Sequence, residues 1–222
     1  MKITTTFDVI IVGGGLAGLT SAIHLSTRKK RVLLIEKNEY PKHKVCGEYI
    51  SNEVLPYLNS LGINPINEGA KQITKVHIST TKSNLIKGEL PLGGFGMSRY
   101  FLDNLLVKKA RLNGVQILKD TVDSIHFKKD SFTITTKSSG VFQSKITIGA
   151  FGKRSSLDQK MKRKFIQKKS PYLAVKIHVK GVFPENLVAL HNFKGGYCGV
   201  SKVENNAINV CYITEYRSFK KH

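Results

Sequence analysis

Apolar positions along this chain follow two rhythms. Phe7 to Val12 and Arg31 to Ile35 are apolar runs of strand length, the pattern of strands buried on both faces of a parallel sheet. Between them, Leu16 to Thr27 repeats small and apolar residues at helical spacing. Strand, glycine turn, helix and strand in this order predict a right-handed βαβ unit. Ser51 is placed to cap a short helix running to Leu61 and closed by Gly62, with Pro56 in its first turn or kinking it. Gln72 to Leu90 alternates and is β-branched, which predicts a pair of strands. An amphipathic helix follows, with Ser98 as N-cap, Phe101, Leu102, Leu105, Leu106 and Ala110 as its stripe, and Asn113-Gly114 as its end. Val115 to Leu118 is a short strand, and "TVDSIHF", "SFTITTK" and "VFQSKITIGAFG" form a meander. Alternation lapses over Ile146 to Ala150, so the last of these strands is expected to return to the parallel sheet. A basic helix near Leu157 to Gln167 and four alternating stretches over Tyr172 to Thr214 complete the pattern.

Composition narrows the setting. Lys and Arg number 36 against 15 Asp and Glu, a formal charge of +21. Such a surplus suits nucleic acid, anionic lipid or a solvated lysine-rich surface. The densest cluster, "KMKRKFIQKK" from Lys160 to Lys169, has none of the recognised nucleic-acid motifs around it, so the expectation is no nucleic-acid partner. That leaves a solvated surface or peripheral contact with an anionic membrane. No apolar run reaches the roughly 18 residues of a membrane helix and the start is unlike a secretory signal, so the expected location is cytoplasmic. Cys46, Cys198 and Cys211 lack metal or disulfide spacing, and the seven histidines lack metal spacing, so no metal site is expected.

The βαβ unit carries the strongest chemical signal. Gly13, Gly15 and Gly18 fit G-x-G-x-x-G between strand and helix, with Glu36 ending the next strand. Gly13 permits the tight turn, Gly15 lets backbone approach a pyrophosphate, and Gly18 lets helix and strand pack closely. The helix start, with Leu16 and Ala17, offers free N–H groups and partial positive charge to that anion. Glu36, followed by Lys37, is placed to accept hydrogen bonds from adenosine ribose hydroxyls. This unit serves NAD and FAD alike. The chain then leaves for a β-rich region and returns to the sheet near Ile146, whereas a nicotinamide dehydrogenase usually continues with alternating helices and parallel strands.

Four segments in order resemble the flavoprotein monooxygenase-like oxidoreductases, most nearly the geranylgeranyl reductase-related branch. They are the glycine fingerprint, "KHKVCGEYIS" (Lys42 to Ser51), "GMSRYFLDNLLVKKARLNGV" (Gly96 to Val115) and "ITIGAFGKRSSLD" (Ile146 to Asp158); "FKGGYCGVSKVE" adds to the likeness. The resemblance implies FAD as cofactor, with NADPH or NADH as reductant. It implies an α/β fold: a Rossmann-like FAD-binding domain (βαβ, parallel sheet) at 1–62 and 96–167, with an inserted, mostly antiparallel β-sheet substrate domain at 63–95 and 168–222. It further places Arg99 near the flavin and the backbone of Val122 on the adenine. The segment with Gly47 would pass near flavin and substrate, which makes Cys46, Glu48 and Tyr49 the catalytic candidates. A buried thiol, an exposed carboxylate and a core aromatic are the competing assignments. Phe151-Gly152 stands where aromatic hydroxylases carry Asp-Gly, and Lys153, Arg154 and Ser155 face the cofactor phosphates or form a solvated turn. The family's later Gly-Asp segment has no counterpart in Tyr172 to His222, so the match lacks the family's C-terminal part.

The expected activity is therefore an FAD-dependent reduction of a double bond, or a hydroxylation, on a small apolar, isoprenoid- or polyketide-like substrate. The alternatives are a shortened dinucleotide-binding module without turnover and an NAD-dependent dehydrogenase. The sequence leaves the oligomeric state open.

Overall fold

The computed structural model describes residues 5–153, 155–168 and 170–220. The chain divides into two units, Met1–Pro41 with Asp103–Lys169, and Lys42–Leu102 with Ser170–His222. The first holds strands β1 (Thr5–Val12), β2 (Val32–Glu36), β6 (Gln116–Lys119), β7 (Val122–Lys128), β8 (Ser131–Thr136) and β9 (Val141–Gly149). They form one sheet in the order β6-β2-β1-β9-β8-β7. β6, β2, β1 and β9 run parallel, and β8 and β7 continue the sheet antiparallel. β9 pairs with β1 from Phe142, opposite Thr5, to Gly149, opposite Val12, so the return to the parallel sheet begins earlier than the lapse in alternation suggests. Helix α1 (Leu16–Thr27) joins β1 to β2 and buries Leu19, Ala22 and Ile23. Ile10, Leu33, Ile35, Val122, Ile134 and Leu157 belong to one buried cluster.

The second unit is a seven-stranded sheet that adds β3 (Tyr49–Ser51), β4 (Lys71–Ser79), β5 (Leu85–Gly96), β10 (Tyr172–Val179), β11 (Leu187–Phe193), β12 (Gly196–Lys202) and β13 (Ile208–Glu215). Its order is β10-β13-β12-β11-β4-β5-β3, and only β11 and β4 run parallel. Ser51 accepts from the Glu53 N–H and caps a 3-10 turn leading into α2 (Leu55–Ser60), with Pro56 in the first turn, where its missing N–H costs nothing. Helix α3 (Arg99–Leu112) starts at Ser98, whose hydroxyl accepts from the Phe101 N–H, and buries Leu102, Leu106, Val107 and Ala110.

Two expectations change. Residues 42–62 and 96–102 belong with the second unit rather than the first: Tyr49 pairs with Gly96, Ser51 with Gly94, and the Met97 N–H donates to the Glu48 carbonyl. The basic helix over Leu157 to Gln167 is instead α4 (Ser156–Lys160) and a separate 3-10 turn, Lys164–Gln167. Lys162 takes a φ of 52°, Arg163 N–H reaches Asp158 C=O and Lys162 N–H reaches Gln159 C=O. That is a Schellman stop with lysine in the left-handed position usually held by glycine. The remaining helix is α5 (Tyr216–Phe219). No helix among the described residues is long and apolar enough to cross a membrane.

Candidate functional site

In the first unit the three fingerprint glycines have different surroundings. Gly13 has a φ of 106° and donates its N–H to Ile35 C=O; a Cβ there would lie 2.3 Å from Ala150 O. A Cβ on Gly18 would lie 1.9 Å from Gly13 O, so the helix meets the turn as closely as backbone allows. At Gly15 a Cβ would meet nothing within 4 Å. Gly15 is also the N-cap of α1, and no side chain caps that end. The helix start, with half-buried Leu16 and exposed Ala17, thus opens onto space at the one glycine that packing does not require. This is the arrangement an anion needs at a helix N-terminus.

A fourth residue, absent from the fingerprint reading, completes the turn. The Tyr40 hydroxyl donates to Gly14 C=O at 2.5 Å, and a Cβ on Gly14 would lie 1.7 Å from that oxygen. Glu36 sits at the end of β2, where one carboxylate oxygen accepts from Gly14 N–H at 2.7 Å and the other from Asn38 N–H at 3.0 Å and its amide at 2.5 Å. Glu36 therefore fixes the turn as well as edging the adjoining cavity.

That cavity, about 110 Å³, is lined by Gly13, Glu36, Lys37, Val122, Phe151 and Lys153, among others. Val122 is 5% exposed, belongs to the buried cluster and is among the residues lining this cavity. Beside it, Asp120 accepts from the N–H groups of Thr121, Ser138 and Ser139. Burial pushes its carboxyl up, but hydrogen bonds from Ser139, Thr121 and Thr136 prevail and hold it well below the usual aspartate range. Gly152 has a φ of 73° and open space at its Cβ position. Ser155 accepts from Leu157 N–H and caps α4; Arg154 lies outside the described residues.

In the second unit the segment preceding β3 gathers Glu48 and two partners far along the chain. Glu48 has a φ of 55° and a buried side chain. One oxygen accepts from Arg99 N–H at 2.9 Å, at the start of α3, and from Lys176 Nζ at 2.7 Å. The other lies 2.6 Å from His178 Nε2. Lys176 is itself buried, with 6% of its side chain exposed. His43 stacks on Tyr100 at 4.7 Å and meets His178 edge-on at 5.3 Å. Burial pushes the His43 imidazole below its ordinary value, and the charges of Lys176 and His178 act in the same direction. Glu204 provides a second carboxylate at the start of α3, bonding the Ser98 N–H at 2.8 Å and the Ser98 hydroxyl. Both acids complement the positive end of the helix.

Cys46 and Gly47 present their carbonyls to the Asn209 amide at 3.4 and 2.8 Å. Gly47, Tyr49, Val76, Val188, Leu190 and Cys211 are among the residues lining an apolar cavity of about 340 Å³ against this sheet. Burial raises the Tyr49 phenol and the Cys211 thiol above their ordinary values, so both stay neutral at pH 7. Of the three catalytic candidates, then, Glu48 is engaged by Lys176 and His178, Tyr49 lines this cavity, and Cys46 adjoins its lining residue Gly47. Lys176, His178 and Glu204 were invisible to the sequence reading, since no local spacing links them to residues 48 or 98.

A mostly parallel sheet with a glycine turn open at a helix start, joined in one chain to an antiparallel sheet with an apolar cavity, defines a flavoprotein-type fold. A solved geranylgeranyl bacteriochlorophyll reductase-like protein from Thermoplasma acidophilum shares it, with TM-score 0.79 and 18% identity over 97% of this chain and 58% of its own. Residues 8–45 match the family model described as FAD dependent oxidoreductase. A digeranylgeranylglycerophospholipid reductase of Methanococcus aeolicus is 26% identical over 157 residues, 68% of this chain and 39% of that one. An FAD-dependent monooxygenase of Aspergillus versicolor is 32% identical over 175 residues, 72% and 35% respectively. Through residues 8–45 the chain matches an FAD-dependent oxidoreductase domain, and reductases and monooxygenases are among the proteins it is similar to. It spans about two fifths of the length of the curated relatives it matches.

Proposed function

We propose that this chain binds the adenosine diphosphate moiety of FAD at the Gly13–Gly18 turn and serves an FAD-dependent oxidoreductase acting on an apolar, isoprenoid- or polyketide-like substrate. The open position at Gly15, beside a helix start that no side chain caps, carries the proposal. The residues fit the group. Gly15, Leu16, Ala17 and Gly18 would hold the pyrophosphate by backbone N–H groups, Glu36 would take ribose hydroxyls, and Val122 backbone would border the adenine. When bound, the flavin supplies hydride transfer or oxygen activation, with NADPH or NADH as reductant. This chain's own residues position and exclude water. Glu48 ties the start of α3 to β10 of the same unit, while the cavity at Tyr49, Val188 and Cys211 offers apolar surface and neutral side chains to an apolar substrate.

Reconstitution tests this. After incubation with FAD and gel filtration, the chain is expected to retain flavin absorption, and ADP is expected to compete for the site. A folded chain that takes up NADH but not FAD would establish the dehydrogenase alternative instead. One that takes up neither would overturn dinucleotide binding. Double-bond reduction and hydroxylation separate by whether an isoprenoid alkene is consumed under anaerobic conditions with reductant, or only when oxygen is present.

A further inference from the structure

We infer that the segment Lys160–Lys168, which follows α4, is a contact surface for an anionic lipid bilayer. From Gln159 to Pro184 the sequence contains no Asp or Glu. Two of the cations are engaged: Lys160 with Asp123 at 2.7 Å and Arg163 with Asp158 at 3.1 Å. Lys162, Lys164 and Lys168 are exposed and have no carboxylate partner among the described residues. Beside them two large apolar side chains face solvent, Met161 at 41% and Phe165 at 54% exposed.

The backbone displays this mixture in an ordered way. Leu157 anchors α4 in the core, the Schellman stop at Lys162 turns the chain, and the 3-10 turn Lys164–Gln167 follows. Lysines flanking exposed apolar side chains suit the boundary of headgroups and acyl chains: the ammonium groups meet lipid phosphates while Phe165 and Met161 enter the apolar layer. Single-stranded nucleic acid would call for several stacking aromatics with arginine, and this segment offers one aromatic ring among lysines. The inference does not depend on flavin binding.

The test uses the full chain and two vesicle types, phosphatidylcholine alone and phosphatidylcholine with about 30% phosphatidylserine. With each unpaired lysine contributing about fivefold, partitioning is expected to be about a hundredfold stronger on the anionic vesicles and to fall as salt is raised. Met161→Ser with Phe165→Ser removes apolar surface without altering charge and is expected to weaken partitioning at least tenfold. The chain contains no tryptophan, so Phe165→Trp reports from the segment itself and guards against misfolding of the double variant. The indole emission of Phe165→Trp is expected to shift to the blue on anionic vesicles. Equal partitioning on both vesicle types would overturn the inference, as would vesicle-bound Phe165→Trp protein whose indole emission stays unchanged. So would an emission shift produced by a single-stranded oligonucleotide and not by vesicles.

Discussion

Gly15 and its neighbours show why one glycine motif contains two kinds of residue. Gly13 and Gly18 are required by packing, because a Cβ at either would strike backbone oxygen, whereas Gly15 has room around it and a φ of −81° that any residue adopts. Gly15→Val should therefore leave the melting temperature nearly unchanged while lowering FAD affinity by two orders of magnitude or more, the side chain filling the pyrophosphate's place. Gly18→Ala should instead destabilise the fold by about 1–3 kcal/mol. Parallel denaturant and FAD titrations distinguish them, and equal loss of stability in both variants would refute the division. Glu36→Ala removes the acceptor of Gly14 N–H and, in the proposed site, that of the ribose hydroxyls, so FAD affinity should drop about tenfold or more, the size of a charged hydrogen bond of roughly 1.5–3 kcal/mol. Asp120 supplies a pH signature. Its folded pKa is depressed, so its stabilisation is complete above the ordinary aspartate value of about 3.9 and fades as pH falls through the folded one. The thermal midpoint of Asp120→Asn should be lower at neutral pH and should fall less steeply below pH 4 than that of the parent; parallel curves would remove that role.

Among the elements, α3 best separates what was legible from what was not. Its stripe, its Ser98 cap and its Asn113-Gly114 end lie within a single stretch of sequence, so periodicity and capping chemistry located it. The partners of the Glu48 carboxylate that sits at its first turn lie 128 and 130 residues further on, at Lys176 and His178, beyond the reach of any local pattern. The basic segment after Leu157 was read as one helix because its stop residue is Lys162, and nothing in a lysine announces a left-handed turn. The buried pair at Glu48 gives an element-level prediction. Lys176→Ala leaves a buried carboxylate short of one partner and should cost about 3–5 kcal/mol, while adding Glu48→Gln should recover part of that loss. Urea denaturation of the four proteins in the cycle reads the coupling, and strictly additive losses would show that the pair acts independently.

On the scale of the whole molecule, two sheets divide the chemistry. The parallel sheet was foreseeable because every part of its proposed nucleotide site except Asn38, Tyr40, Asp120 and the second half of the cavity lies in the first 37 residues. The antiparallel sheet was foreseeable as strands but not as a cavity, since Val76, Val188, Leu190 and Cys211 meet only through strand order. Its segment Lys42–Gly47 and strand β3 were assigned to the wrong unit for the same reason: their sheet partner, β5, is set by a register no local pattern encodes. The central claim is that the turn at Gly15 receives the pyrophosphate of FAD. Titrating FAD into the purified full chain and into Gly15→Val, with flavin fluorescence as the signal and ADP as competitor, tests it directly. The account predicts saturable binding displaced by ADP in the parent and none in the variant; equal binding by both proteins, or none by a folded parent, would contradict it.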